Sequence, residues 1–373
     1  MNKFKYYFLL LLAGIALVSC HKSDDDETTV EVRDYNEQYK VDKDSIETYL
    51  KTNYIKEVTA NYDIVFEKIP AGGTQTSIWD QKDYPLQSRL VYNRDVNYTV
   101  YYLVLREGTG VHPSNTDKIS ASYTGTLLNN KEFDSSHGYA NSFFLFPYDQ
   151  SNSEAFTVID GWSEIFPKFG IGTSTTAANG EITYDNYGAG VMFLPSGLAY
   201  YSEAKDSFPA YTCLVFSFKL FGLFRQDHDI KIVGTSVTSE PDGVPDYFED
   251  VNKADNNNGI GYVYDLRDKV RYPNPPAWMV DDTDGDGIAD FLDVDDDGDG
   301  YTTRYEITKP TGAPFTGISK YYPFDPIGDN PSTPNVDESE VWGIPAFSAS
   351  GTPDYTSPDR KRIHVDKDHH TAK

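Results

Sequence analysis

Only two of the 373 residues are cysteine, at positions 20 and 213, so no disulfide framework holds this chain together. Positive charge is also scarce: 32 Lys and Arg stand against 58 Asp and Glu, a formal charge of -26. Binding nucleic acid through its phosphates needs a basic face, which this balance excludes, and cations are the small partners it favours. The apolar run from Tyr6 to Val18 falls short of the roughly 20 residues a spanning helix needs. With Lys3 and Lys5 ahead of it, that run reads as the core of a signal peptide. What the chain has in quantity is aromatic area, 29 Tyr and 21 Phe, enough for a core and a pocket in a strand-rich fold.

The run closes on Leu17-Val18-Ser19-Cys20. A small residue directly before a Cys, with Leu three positions upstream of it, resembles a bacterial lipobox. The resemblance implies removal of residues 1–19 and a lipid, palmitate included, on Cys20; an ordinary secretory signal with a chance Cys is the alternative. Asp24, Asp25, Asp26 and Glu27 follow as a solvated run with nothing to pack, which reads as a tether. It is similar to the acidic tag of surface-exported lipoproteins, implying the outer membrane, on its cell-surface or its periplasmic face. Cys213, left without a partner, precedes Leu214-Val215-Phe216 and reads as a small buried hydrophobe.

Asp44-Ser45-Ile46-Glu47 can cap a short helix through Thr52, and Tyr62 to Phe66 alternates like a strand. No chemistry is visible in this extension, which suits a stalk folded onto the next domain or a homodimer contact. Tyr101 to Leu105, Ile119 to Leu127, Phe143 to Phe146 and Leu214 to Leu223 read as strands. Gly161 to Phe166 is a short helix ended by Pro167 and Gly170. Strands around one short helix make an α+β fold. The sequence thus divides into a leader (1–19), a lipidated tether with its extension (20–97), a compact domain (98–225), an acidic repeat region (226–310) and a tail (311–373).

Within the compact domain the blocks YTGTL at Tyr123, FDSS at Phe133, VIDGW at Val158, LPSGLAYY at Leu194 and LVFSFKL at Leu214 follow one another in order. That ordered set resembles an FKBP-type peptidyl-prolyl isomerase. The resemblance covers about a third of the chain and implies an FKBP-like antiparallel sheet wrapped around the short helix. It places Trp162 as the floor under a proline ring, with Tyr123, Phe133, Val158, Ile159 and Phe216 as walls. Asp134 would stand at the rim, and the Tyr200 hydroxyl and Ile159 N–H would bind the substrate backbone. Phe143 or Phe144 adds a further wall. Such catalysis takes no cofactor, and its substrates would be X-Pro segments of exported proteins. Tyr201 stands where the family usually has Gly, the rim from Glu203 to Phe208 is short, and a Gly-, Thr- and Asn-rich insertion lies between Gly172 and Val191. These departures leave a non-catalytic peptide-binding module as the alternative, or an adhesin resting on an FKBP-like scaffold, with surface machinery as a further possible partner.

Ten of the nineteen residues from Asp281 to Asp299 are Asp. Calcium takes six to eight oxygens, and a twelve-residue loop supplies them from positions 1, 3, 5, 7, 9 and 12 with Gly at 6. Asp295, Asp297, Asp299, Tyr301 through its carbonyl, Thr303 and Glu306 satisfy every position. Asp282, Asp284, Asp286, the Ile288 carbonyl, Asp290 and Asp293 do so with Asp in place of the last Glu. Prolines at 273, 275, 276 and 310 exclude flanking helices. The abutting loops resemble thrombospondin type 3 repeats, which implies a mostly irregular calcium-binding region. A degenerate copy is expected from Asp242-Gly243. His364, His369 and His370 with Asp366 and Asp368 allow a transition-metal site, against which stands an unstructured basic tail.

Overall fold

The computed structural model describes residues 32–146, 158–250, 261–311, 319–323, 343–357 and 360–369. Asp34–Lys373 forms one compact unit. The leader, Cys20 and the acidic run lie outside the described residues, and no helix among the described residues is long and apolar enough to cross a membrane.

Helix α1 (Tyr35–Thr52) starts on Asp34, whose carboxylate accepts the Glu37 N–H at 3.1 Å. It is twice the length the sequence suggested. Its buried stripe begins with polar residues: Gln38 donates to Asp42 at 2.7 Å, and Asp42 in turn accepts from the Ser196 N–H and hydroxyl at 2.8 and 2.6 Å. Only Ile46, Tyr49 and Leu50 give the stripe an apolar signature. A hairpin of β1 (Asn53–Val58) and β2 (Ile64–Lys68) follows.

The centre is a seven-stranded antiparallel sheet. Its spatial order is β3 (Gln87–Asn93), β4 (Val96–Arg106), β10 (Gly188–Leu194), β11 (Leu214–Phe224), β5 (Lys118–Leu127) and β6 (Glu132–Ser135), with β7 (Asn141–Phe144) also paired to β5. Alternate residues divide between two cores. One face carries Tyr98, Val100, Tyr102, Met192, Phe216 and Phe218 against Trp162, Phe166 and Phe169. The other carries Leu103, Val191, Phe193 and Val215 under Ile46, Tyr49 and Leu50 of α1. Strands covered on both faces need apolar side chains at every position, which is why β10 is buried throughout. The N-terminal extension therefore folds onto the sheet. Cys213 is buried in this second core, where desolvation pushes its thiol pKa up, in keeping with a structural role.

Helix α2 (Asp160–Ile165) lies across the first face. The insertion after it is the hairpin β8 (Thr173–Thr176) and β9 (Ile182–Asp185). Past β11 come the hairpin β12 (Ile230–Val233) and β13 (Ser236–Ser239), single turns, the four-residue α3 (Thr303–Glu306) and the pair β14 (Ala346–Phe347) and β15 (Pro353–Asp354). The tail corrects the expectation of an unstructured end: Ile363 and His364 are buried, and His369 Nδ1 lies 2.8 Å from Asp366. Among the described residues these histidines join no metal-holding group, and His370 lies outside them.

Candidate functional site

Trp162, 4% exposed, sits in an aromatic cage on the first face of the sheet. Tyr123, Phe143, Phe166 and Phe216 meet its ring edge-on at centroid distances of 5.0, 5.2, 5.3 and 5.3 Å. Edge-to-face contact sets each ring's positive rim against a neighbour's negative face, so the cage is rigid as well as apolar. The indole N–H has no hydrogen-bond partner. Phe143 is the wall that the SFFLF run left open: it faces Trp162, while Phe144 lies under the Lys118 ammonium at 4.9 Å. Val158 and Ile159 border the cage, and Ile159 is the residue that starts α2.

Phe133 reaches this face from β6 because position 125 is glycine; a Cβ there would stand 2.6 Å from the Phe133 ring. Phe133 packs edge-on to Phe208 and Phe216, and Phe208 approaches Tyr200 at 5.7 Å. At the exposed rim Asp134 accepts the Tyr123 hydroxyl at 2.6 Å, a charge-assisted bond that fixes both groups. Burial pushes the pKa of Tyr200 up, so its phenol stays a hydrogen-bond donor near neutrality. The structure thus gathers every proposed pocket residue around one apolar surface with a sparse polar edge.

Tyr201 takes φ +49, the conformation that favours glycine. Its ring stacks on Tyr35 of α1 at 3.8 Å and meets Tyr211 edge-on. Tyr201→Gly should relieve about 1 kcal/mol of backbone strain and lose about 3 kcal/mol of buried aromatic packing. The expected result is a net destabilisation of about 2 kcal/mol in urea unfolding; a stabilised variant would contradict this balance.

Sequence reading missed what lies behind the cage. Glu164 of α2 receives the Arg89 guanidinium through Nε and Nη2 at 2.9 and 2.8 Å, and the two side chains are 7% and 1% exposed. Tyr262 covers Arg89 with its ring at 3.4 Å and donates to the Glu164 carbonyl at 3.0 Å, while Arg271 pairs with Asp160 at 3.0 Å. The segment after the sheet therefore braces the helix that carries Trp162. No periodic or motif signal marks such contacts, which join residues far apart in sequence.

The acidic loops form two further centres. Oxygens of Asp282, Asp284 and Asp286 lie within 4.8 Å of one another, as do those of Asp295, Asp297 and Asp299. In each loop the first Asp accepts from the sixth-position glycine, Gly287 or Gly300, at 3.0 Å, and these glycines have φ +97 and +91. The third Asp accepts the fifth residue's N–H, and the fifth accepts the seventh's. Glu306 is 1% exposed with neither carboxylate oxygen partnered, and burial, with the charges of Asp297, Asp299 and Asp295, pushes its pKa up to about 9. Oxygen-only donors held so close without counter-charge fit a hard divalent cation. Asp290 does not join its group: both its oxygens accept from Thr283, at 2.7 Å each. Asp293 accepts the Asp295 N–H at 3.0 Å and feels the charges of Asp286 and Asp284. Thr303 lies against Asp296 and Asp242.

Part of the chain is similar to known prolyl isomerases. Over 128 residues it is 33% identical to the FKBP-type peptidyl-prolyl cis-trans isomerase FkpA of Aeromonas hydrophila, covering 34% of this chain and 39% of that protein. The crystal structure of FkpA from Escherichia coli matches at 28% identity over 34% of this chain and 48% of that one, with a TM-score of 0.26. A peptidyl-prolyl cis-trans isomerase from Pseudomonas syringae matches at 18% identity over 51% of this chain and 96% of its own, with a TM-score of 0.29. The chain spans less than half the length of either FkpA. Separately, residues 239–335 match the family model described as BamM C-terminal. About a third of the chain is thus homologous to FKBP-type isomerases, and the region holding both acidic loops has a different relationship.

Proposed function

We propose that this protein is a peptidyl-prolyl cis-trans isomerase, held at the outer membrane by lipid on Cys20, that acts on X-Pro segments of exported or surface proteins. The observation that carries the reading is the Trp162 cage with its Tyr123–Asp134 rim, in a chain about a third of which is similar to FkpA. An X-Pro bond turns slowly because amide resonance raises a barrier of about 18–20 kcal/mol. Water hydrogen-bonded to the planar amide preserves that resonance. A surface of Trp162, Phe133 and Phe216 that takes the proline out of water favours the twisted amide, and each ~1.4 kcal/mol so gained is tenfold in rate. The Tyr200 hydroxyl and Ile159 N–H would hold the substrate backbone, and Asp134 would face the turned carbonyl. No group need form a covalent bond. The two acidic loops would each hold calcium, which stiffens the region beyond the sheet.

Cis-to-trans relaxation of short X-Pro peptides, followed with the protein in calcium, tests this. Acceleration should fall at least tenfold in Trp162→Ala. Asp134→Ala, at an exposed rim, should also slow it without loss of fold. No acceleration by the folded protein, across several residues before Pro, would sink the catalytic reading.

The match of residues 239–335 to BamM C-terminal favours a second reading, in which the region beyond the sheet is the working part of an adhesin and the sheet with its cage is only a scaffold. Attachment to the cell surface or to a partner would then disappear with chelator and survive Trp162→Ala. Attachment indifferent to chelator would remove it.

A further inference from the structure

Two intact acidic loops share a set of backbone closures, and the same set occurs a third time in a loop that the sequence does not show. In the intact loops the ninth residue's N–H donates to the carbonyl just before the first Asp: Asp290 to Asp281 at 2.8 Å and Thr303 to Val294 at 2.9 Å. Asp246 N–H donates to the Gln226 carbonyl at 3.0 Å in the same way. That equivalence makes Asp227 and Asp229 the first and third positions, and Asp242, Gly243, Val244 and Glu249 the fifth, sixth, seventh and twelfth.

Every further closure agrees. Gly243, with φ +104, donates to Asp227 at 2.9 Å; Asp242 N–H donates to Asp229 at 3.1 Å; Val244 N–H donates to Asp242 at 2.7 Å. The second residue, His228, clamps the ninth, Asp246, through its N–H at 3.0 Å and Nδ1 at 2.6 Å, as Thr283 clamps Asp290. The β12–β13 hairpin stands where the intact loops have one residue, so the run of alternating Asp is broken in sequence and restored in space.

What points to a ligand is Glu249. It is 2% exposed, and neither of its carboxylate oxygens has a partner. Its ligand atom lies within 4.8 Å of those of Asp242 and Asp296, and Asp242 belongs equally to the group with Asp227 and Asp229. Asp229 is wholly buried with Oδ1 unpartnered, and Asp296 is buried with no cationic group beside it among the described residues, only the Thr303 side chain. Carboxylates grouped at such depth are unfavourable unless protons or a cation neutralise them, and a divalent cation can neutralise several at once.

We propose that Asp227, Asp229, Asp242, Glu249 and Asp296 form a third divalent-cation centre, of calcium type, built on a loop split by a hairpin. It would join three parts of the chain: the residues directly after β11, the segment after the hairpin, and the last intact loop, which lends Asp296. The centre is a joint between the isomerase-like sheet and the repeats. The assignment rests on the calcium reading of the intact loops, which serve as its template.

Calcium binding by the chelator-stripped protein, counted by equilibrium dialysis, tests it. Glu249→Gln and Asp227→Asn should each bind at least one ion fewer than wild type, or bind one ion at least tenfold more weakly. A Asp282→Asn/Asp295→Asn variant should keep that ion. Unchanged counts and affinities in both Glu249→Gln and Asp227→Asn would overturn the third centre and leave the repeat reading standing. An ion retained only at the split loop would do the reverse, and no binding by wild type would end both. Asp227 is partly exposed, so its variant decides the matter where Glu249→Gln fails to fold.

Discussion

Glu164→Ala should destabilise the folded protein by about 3–5 kcal/mol, because it removes the carboxylate that receives the buried Arg89 guanidinium through two N–H groups. The pair is 1% and 7% exposed, so water cannot take over the solvation of Arg89. The Tyr264 hydroxyl at 3.0 Å remains beside Arg89, and a neutral oxygen is a weaker partner for a full charge than the carboxylate it would have to replace. Tyr262 should keep its hold on α2, since it donates to the Glu164 carbonyl rather than to the carboxylate. Replacing both members, as in Arg89→Met/Glu164→Met, should cost much less than Glu164→Ala, because two apolar chains fill the same space without a stranded charge. Urea midpoints for the two variants decide it. A Glu164→Ala loss under 1 kcal/mol, or a double variant worse than the single one, would show that the pair does not hold the helix in this way. The same variants bear on the proposed isomerase, because Glu164 sits two residues after Trp162 on a six-residue helix.

The central strands and the short helix were legible because burial on both faces leaves an almost continuous apolar run, as in Leu214–Phe224, and because Pro167 limits the helix. Strand β3 was not. Its hairpin turns through Arg94 and Asp95, with φ +51 and +59, a pair of left-handed residues that carries no glycine signal. The first half of α1 was hidden for a related reason, since Gln38 and Asp42 occupy its buried stripe and satisfy each other. The aromatic cage was legible as an ordered set of blocks, down to the rim carboxylate. What lay beyond reach were the contacts behind the cage: Arg89 with Glu164 and Tyr262, and Arg271 with Asp160. The acidic region shows the limit most sharply. Spacing alone marked two loops and took Asp242 for the start of a degenerate third, whereas the backbone closures around Asp242 run back across a hairpin to Asp227 and Gln226.

Without divalent cations the acidic region should grow less stable as pH rises from about 4 to about 9, and calcium should reverse that trend. Burial pushes the pKa of Asp290 up to about 6, of Asp293 to about 7, of Asp242 to about 8 and of Glu306 to about 9, each aided by neighbouring carboxylates. Unfolded carboxyls titrate near 4. The folded metal-free protein therefore keeps protons that the unfolded chain has released, so this stability is full below about pH 4 and is lost as pH climbs through the folded values. Across several groups the loss reaches several kcal/mol, enough to open the loops before the apolar sheet. Calcium held as proposed would take the deprotonated oxygens and stabilise by about 2.7 kcal/mol per site at a hundred times its dissociation constant. At acid pH it must displace protons first, so its effect there is smaller. Thermal melts followed by tyrosine near-UV dichroism, at pH 5 and pH 8 with chelator or with millimolar calcium, separate the two dependences. The expected result is a low chelator midpoint at pH 8 and a calcium-induced rise that is larger at pH 8 than at pH 5. A calcium shift as large at pH 5, or none at either pH, would mean that Asp242, Asp293 and Glu306 are not among the groups that take the ion.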